Sequence, residues 1–406
     1  MNQILDSRYS WTRLGLSLAI ATIGNVGMWS IIALMPAVQA EFGGGRGAAS
    51  LPYTLTMVGF ALGNLLWGRA LDRFGVSPAI AAAAALSGIG FALAASSPSM
   101  PLLSAAQFLI GLGTAVFFGP LLADVSLWFR RRRGIAVAIA ASGNYLAGAI
   151  WPVALSDVLA AQGWRGVCWL LALMVPALVI PAALLLRRRV PAESLTAAAQ
   201  ATDRALRRVP WSPRALTWML ALAGVGCCVA MAMPQVHLVA FCVDLGYGPA
   251  VGAEMLSVML LGGVVSRLAS GFVTDRLGGI PTLLIGSVGQ MIGLILYLPF
   301  DGLASLYAVS LIFGLSQGGI VPAYAIIVRE TMPAREAGAR VGFVIMATIL
   351  GMALGGWMSG WIYDLTGSYQ WAFVNGIAWN LLNIGVMLTI LFASRPDRPV
   401  GHPAAA

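Results

Sequence analysis

Residues 68–75 read GRALDRFG, and residues 271–278 read GFVTDRLG. Glycine, the pair Asp-Arg and a second glycine recur at identical spacing, and the two stretches stand 203 residues apart, half of the 406-residue chain. The same offset pairs IGLG at 110–113 with FGLS at 313–316. A repeat of this length predicts that the chain consists of two related halves.

The composition predicts a protein with many membrane crossings. Hydrophobic residues make up 59% of the chain and charged residues 10%, whereas soluble proteins have about 25% charged residues. At roughly 20 residues for each membrane-spanning helix, the apolar residues suffice for about twelve crossings. Apolar windows predict helices over residues 14–38, 50–69, 77–96, 101–127, 134–158, 166–186, 215–243, 254–274, 281–299, 303–328, 337–363 and 370–393.

The repeat and the windows together predict an all-α membrane protein of twelve transmembrane helices in two pseudo-symmetric six-helix bundles. The N-terminal bundle would comprise residues 1–186 and the C-terminal bundle residues 215–406, with a linker at 187–214. That linker is the longest stretch able to lie in water, and it is too short for a soluble catalytic or receptor domain. We therefore do not expect an enzyme.

The basic residues predict the orientation in the membrane. All 24 are arginines, and the formal net charge is +9. Alternating the connections between two sides places 21 of them with both termini, while Arg46 and Arg165 lie on the other side and Arg267 lies within a helix. Basic loops mark the cytoplasmic face, so we expect a bacterial inner-membrane protein with both termini cytoplasmic. The four consecutive arginines at 130–133 fit this distribution of cytoplasmic charges better than they fit a nucleic-acid-binding site.

Three features resemble known families. The Gly-x-x-x-Asp-Arg-x-Gly motif, present twice, resembles the signature of the major facilitator superfamily. Residues 128–143, WFRRRRGIAVAIAASG, are similar to the signature of monocarboxylate transporters between helices 4 and 5, and an arginine in helix 8 is typical of them. The resemblance implies transport by alternating access. The oxalate and formate carriers are related, but oxalate carriers place a lysine in helix 11, which residues 346–362 lack.

Arg267 is the candidate substrate-binding residue. It is the only charged residue between Glu254 and Asp275, near the middle of helix 8. An ionisable group at this depth must face a partner or a water-filled cavity. The helix interiors offer no evident acid at comparable depth, although pairing with a buried carboxylate is the alternative. A guanidinium binds a carboxylate in a bidentate geometry. One negative charge would neutralise Arg267, so we predict that the substrate is a small monocarboxylate rather than a dicarboxylate.

Neutral polar residues at similar depth are further candidates for the substrate site. The 203-residue offset pairs Arg267 with Asn64 in helix 2, which either faces the central cavity or bonds to a neighbouring helix. The other candidates are Asn25, Asn144, Tyr145, Gln317 and Tyr324.

His237 is the candidate for proton coupling, since its unperturbed pKa lies near 6.5. The alternative is a hydrogen-bonded structural histidine. Monocarboxylate transporters carry an acid four residues before the helix 8 arginine, where this chain has Gly263, and an acid-led motif in helix 1, where residues 24–29 read GNVGMW. The residues that usually couple proton movement in that family are therefore missing.

The two motif turns contain Asp72-Arg73 and Asp275-Arg276. The family resemblance implies that these residues latch the cytoplasmic ends of the halves in one state of the cycle. Hydrogen bonding to the next helix, as ordinary turn and cap chemistry, is the alternative.

We expect no disulfide and no metal site, because the cysteines Cys168, Cys227, Cys228 and Cys242 all fall in apolar segments. We also expect no cofactor, because the sequence has no phosphate-binding glycine loop. The expected partners are a small organic monoanion, a proton and the lipid bilayer, and the expected state is a monomer. The rival functions are a carrier for another organic anion or an amphiphilic drug, and a membrane sensor that does not transport.

Overall fold

The computed structural model describes residues 5–129, 132–188, 210–332 and 334–393. Twelve helices in these ranges are long and apolar enough to cross a membrane, which confirms the predicted fold class. We number them α1 (Arg8–Phe42), α2 (Arg46–Phe74), α3 (Val76–Ala95), α4 (Met100–Ser126), α5 (Arg133–Ala154), α6 (Ser156–Leu184), α7 (Pro213–Asp244), α8 (Pro249–Leu277), α9 (Gly279–Leu296), α10 (Leu303–Thr331), α11 (Ala334–Thr366) and α12 (Tyr369–Ala393).

Helices α1 and α7 begin earlier than the apolar windows predicted, and in both of them a serine side chain caps the first turn. The side chain of Ser7 accepts a hydrogen bond from the Ser10 amide at 3.3 Å at the start of α1. Ser212 does the same for Ala215 at the start of α7, where Pro213 occupies the first turn. Helix α7 therefore includes the last two residues of the predicted linker, 213 and 214. Residues 189–209 of that linker lie outside the described residues.

The second glycine of each repeated motif forms a turn of one residue. Gly75 has φ 90° and Gly278 has φ 85°, a region of backbone conformation that glycine adopts without strain. Their amides donate to the carbonyls of Leu71 and Thr274 at 2.9 and 2.8 Å. The next helix starts at the following residue in both places, so the motif sets the path from α2 to α3 and from α8 to α9.

The helices form an N-terminal half, α1–α6, and a C-terminal half, α7–α12, which meet mainly where α2 packs on α11 and α5 packs on α8. Twelve crossings return the chain to the side where it starts. We call this the terminal side; it includes the two motif turns. The far side includes the connections between α1 and α2 and between α11 and α12.

Four of the described helices are interrupted. The break in α1 is at Asn25, that in α4 covers the 3-10 turn Ala115–Phe117, that in α6 is at Gly163, which has φ 68°, and that in α10 falls at Gly318 and Gly319. The breaks in α4 and α10 are related by the 203-residue repeat. Carbonyl groups at such a break lack their regular helical partners and can accept hydrogen bonds from side chains.

Candidate functional site

Arg267 is buried at the interface of the two halves, with 5% of its surface exposed. Its Nε donates to the carbonyl of Gly318 at 3.2 Å, and its Nη1 donates to the carbonyl of Ala141 at 2.7 Å. Gly318 belongs to the break in α10, whereas Ala141 belongs to α5 of the other half. The guanidinium therefore bridges the halves through neutral acceptors.

No carboxylate of the described residues forms an ion pair with Arg267. The ion pairs in this part of the chain are Arg13–Asp124, Arg46–Asp244, Arg165–Glu41 and Arg340–Glu336. A guanidinium carries five N–H donors, and the two carbonyl bonds account for two of them. Donors not used by these carbonyls or by the neighbouring Tyr145 side chain would suit an anion.

Tyr145 of α5 lies against this guanidinium, with its ring centroid 4.2 Å from Cζ of Arg267. Gly263, one helical turn before Arg267 on α8, makes room for the ring. A Cβ atom at this position would lie 3.1 Å from Cδ2 and Cε2 of Tyr145. An acidic side chain at this position would therefore press against the tyrosine ring.

Gln317, the residue before the break in α10, supplies a second donor. Its Oε1 accepts a hydrogen bond from Nε2 of Gln235 at 2.6 Å. Its own Nε2 is buried and has no hydrogen-bond partner among the described residues. This amide nitrogen lies 3.6 Å from the Cβ position of Gly263, on the face of α8 that carries Arg267. The structure thus brings Arg267, Tyr145 and Gln317 together.

Two predicted site residues of the N-terminal half bond to neighbouring helices. Asn144, next to Tyr145 on α5, accepts a hydrogen bond from Nε1 of Trp29 at 3.0 Å. Asn25 donates from Nδ2 to the carbonyl of Phe117 at 3.3 Å, so the break in α1 is bonded to the break in α4. Both side chains therefore hold helices of one half together in this conformation.

Asn64 and Tyr324 also have partners within their own halves. Asn64 donates to the carbonyl of Phe60 in its own helix at 2.8 Å, and its amide abuts Gly119 just after the break in α4. Tyr324 is fully buried and donates to Oδ1 of Asn383 at 2.8 Å. None of these bonds joins the Arg267 cluster.

His237 of α7 is fully buried on the far-side part of the C-terminal half. Its Nε2 lies 2.7 Å from the carbonyl of Gly356, and its Nδ1 lies 3.1 Å from the hydroxyl of Tyr369. Because a carbonyl only accepts, the proton resides on Nε2, and Nδ1 accepts from the tyrosine. Both ring nitrogens of the neutral histidine are therefore bonded.

The motif residues on the terminal side are exposed. Asp275 and Arg276 take part in none of the described ion pairs, and the guanidinium of Arg73 lies over the ring of Phe74 at 5.2 Å. The side chain of Asp72 lies outside the described residues. The predicted latch therefore shows no ion pair between the halves among its described members.

On the far side, in contrast, the two halves are joined by residues that the sequence analysis did not propose as site residues. Asp364, near the end of α11, accepts hydrogen bonds from the amides of Arg46 and Gly47 at 2.6 and 2.8 Å. The guanidinium of Arg46 pairs with Asp244 at the end of α7. We call Arg46, Asp244 and Asp364 the far-side clasp. Its partners are up to 318 residues apart, and no sequence motif marks them.

Comparison with protein families gives a match to the model described as Major Facilitator Superfamily over residues 17–303 and 243–406. Among curated proteins, monocarboxylate transporter 13 of Bos taurus is 29% identical over 84% of this chain and 79% of its own length. Monocarboxylate transporter 11 of Homo sapiens is 30% identical over 76% of this chain and 67% of its own length.

Solved structures support the same fold. The nucleoside transporter NupG superposes with a TM-score of 0.69 and 13% identity, covering 93% of this chain and 99% of that one. A bacterial homologue of the human lysosomal transporter Spinster superposes with a TM-score of 0.65 and 14% identity, covering 96% of each chain. At these identities the likeness concerns the arrangement of helices alone.

Proposed function

Because the chain belongs to the major facilitator superfamily, we propose that it is a secondary carrier that moves a small monocarboxylate, similar to lactate or pyruvate, across a membrane. The observation that carries this proposal is the buried guanidinium of Arg267, which donates to two neutral carbonyl groups between the halves and pairs with no carboxylate of the described residues. Guanidinium recognises carboxylate through two parallel N–H···O bonds.

Charge balance favours a monoanion. One carboxylate neutralises Arg267, whereas a second negative charge would stay uncompensated in a low-dielectric site, since α8 has no other charged residue between Glu254 and Asp275 and residues 346–362 of α11 have none. The unpartnered amide nitrogen of Gln317 adds a neutral donor beside the cation. This pair of donors suits a carboxylate with a second oxygen on the adjacent carbon, as in 2-oxo and 2-hydroxy acids.

Transport would proceed by alternating access. Arg267 donates to Ala141 of the opposite half and to Gly318 of its own half. Rocking of the halves separates the first pair, and the desolvated cation then needs a replacement acceptor. A bound carboxylate supplies that acceptor, so the loaded carrier reorients more readily than the empty one.

We further propose that the substrate moves together with a proton and that His237 takes up this proton. In the neutral ring, Nε2 donates to Gly356 and Nδ1 accepts from Tyr369. Protonation of Nδ1 would turn this atom into a donor and reverse its bond to Tyr369. Proton binding at His237 therefore requires the hydroxyl hydrogen of Tyr369 to turn away from Nδ1.

The membrane-spanning helices establish a multi-pass membrane protein. We propose that it resides as a monomer in a bacterial inner membrane, with both termini in the cytoplasm, on the basis of the arginine-rich terminal side. The far-side clasp would then close the external side in the present conformation, and the exposed motif residues would lie at the cytoplasmic opening.

Thermal unfolding of the purified protein tests the proposal. Pyruvate and lactate should raise the Tm, whereas pyruvamide, which is neutral, should not. The Arg267→Gln variant should lose this effect, and Arg340→Gln, which removes a terminal-side arginine, should keep it. His237→Gln should still respond to pyruvate but without the pH dependence of the wild type. Equal stabilisation by neutral amphiphiles would instead indicate a drug carrier.

A further inference from the structure

We propose that Trp29 determines the length of the transported acid. Its indole forms the wall of the substrate site that faces the far side, and it excludes monocarboxylates with longer chains than pyruvate and lactate. This inference rests on the proposed function, a carrier of small monocarboxylates. It adds a specificity-determining residue of α1 to the cluster of Arg267, Tyr145 and Gln317.

The contacts between α5 and α8 form successive layers across the halves. Since α5 runs from the terminal side to the far side and α8 runs in the opposite direction, their residues pair in reverse order. From the terminal side onward, these pairs are Ala141–Arg267, Tyr145–Gly263 and Gly148–Leu260. Each pair lies one helical turn, about 5.4 Å, beyond the previous one. The layer of Gly148 is therefore the first one beyond the substrate-binding cluster on the way to the far side.

Trp29 of α1 fills the layer of Gly148 together with Leu260. A Cβ atom at Gly148 would lie 2.4 Å from Cδ1 of Leu260 and 2.5 Å from Cδ2 of Trp29. Only 3% of the surface of Trp29 is exposed, and Leu260 is fully buried. The absence of a side chain at residue 148 thus makes the room in which these two side chains meet. Together they bound the site with apolar groups.

The indole is held in place by its own half. Its Nε1 donates to Oδ1 of Asn144 at 3.0 Å, and Asn144 is adjacent in sequence to Tyr145. Leu260, in contrast, belongs to the C-terminal half. When the halves rock as rigid bodies, Leu260 therefore leaves the layer, whereas Trp29 keeps its place beside Tyr145. The length limit thus applies in both states of the transport cycle.

The polar and apolar groups around Arg267 orient the acid toward the far side. On the terminal side of the cluster, the carbonyl groups of Ala141 and Gly318 accept from the guanidinium, whereas a hydrocarbon chain is better placed against apolar side chains. The amide nitrogen of Gln317 lies near Gly263, one layer closer to the far side. A 2-oxo acid that binds its carboxylate at Arg267 and its second oxygen at Gln317 therefore points its remaining carbons at the indole.

Isothermal titration calorimetry with straight-chain 2-oxo acids tests this length limit. Pyruvate, 2-oxobutyrate, 2-oxopentanoate and 2-oxohexanoate differ only in their number of methylene groups, and one methylene group in an apolar pocket changes recognition by about tenfold or more. For the wild-type protein, the Kd should rise steeply as the chain lengthens. The readout is the ratio of the Kd for 2-oxohexanoate to the Kd for pyruvate, because a general loss of affinity cancels in this ratio.

Substitutions of Trp29 should extend the accepted chain. Trp29→Ala removes the indole, so the ratio should fall by about tenfold or more. Trp29→Phe keeps a smaller ring and should lower the ratio by less, and this variant preserves the test if the alanine variant does not fold. Trp164→Ala is the matched control. Trp164 is similarly buried, with 4% of its surface exposed, and donates to Glu41 of its own half, so this variant should keep the wild-type ratio.

A ratio that stays at the wild-type value in both Trp29 variants would overturn the inference, as would a wild-type protein that binds all four acids equally. These outcomes differ from a failure of the proposed function. If the wild type binds none of the acids, or if Arg267→Gln binds pyruvate as tightly as the wild type, the carboxylate site is refuted, and the wall with it. If pyruvate binding requires Arg267 but the ratio does not respond to Trp29, only the wall is refuted.

Discussion

Replacement of Gln317 tests the donor set around Arg267. Its buried Nε2 has no partner among the described residues, and Gln235 holds its Oε1 at 2.6 Å, which orients the amide nitrogen toward the face of α8 that carries Arg267. Hydrogen bonds to a charged group contribute about 1.5–3 kcal/mol. Gln317→Leu should therefore weaken pyruvate binding by about 10–100-fold, as measured by isothermal titration calorimetry.

A second substitution at the same position changes the charge of the side chain while nearly keeping its size. Gln317→Glu has nearly the same size but places a carboxylate beside Arg267, so it should compete with the substrate and abolish binding near neutral pH. Gln290→Leu is the matched control, because Gln290 is another fully buried glutamine of the C-terminal half, bonded to the carbonyl of Cys227. Wild-type affinity in both Gln317 variants would refute the reasoning.

Two glycines give further predictions. Gly263→Asp inserts an acid one turn before Arg267, where the ring of Tyr145 leaves no room, so the variant should lose stabilisation by pyruvate in thermal unfolding, and an unchanged Tm shift would contradict this. Gly278→Ala forces a side chain into a conformation with φ 85° and ψ 175°, which costs about 1–3 kcal/mol, and should lower the Tm. Gly271→Ala, in the same motif with open space at its Cβ position, should not.

The sequence was sufficient for the architecture. Apolar windows separated by turn residues predict the membrane helices. The repeated motif predicts the turns at Gly75 and Gly278, because each turn needs a residue with positive φ, which glycine adopts without strain. Helix ends were less predictable. The windows stop at polar residues, whereas the Ser7 cap lets α1 begin at Arg8 rather than at residue 14.

The candidate site was predictable only in part. Arg267 stands out because a single charge within an apolar helix demands a partner, and its surroundings contain Tyr145 and Gln317, two of the predicted residues. The break in α10 and the amide pair of Gln235 and Gln317 depend on how distant helices pack. Sequence spacing carries no information on such contacts.

The far-side clasp also depends on contacts between distant helices that sequence spacing does not predict. The sequence analysis placed Arg46 in a far-side connection, and the structure makes it the first residue of α2. Its pairing with Asp244 joins the halves across 198 residues. Acids at helix ends are common on any membrane protein, so only the fold distinguishes those that face the opposite half.

Counterflow of labelled pyruvate in proteoliposomes tests the central claim most directly. Vesicles preloaded with unlabelled pyruvate and containing the wild-type protein should accumulate the label transiently and saturably. The same vesicles with Arg267→Gln should not, although the variant should insert and fold. Arg267→Lys, which keeps the charge but loses the planar bidentate geometry, should be strongly impaired. Undiminished counterflow in Arg267→Gln would contradict the account.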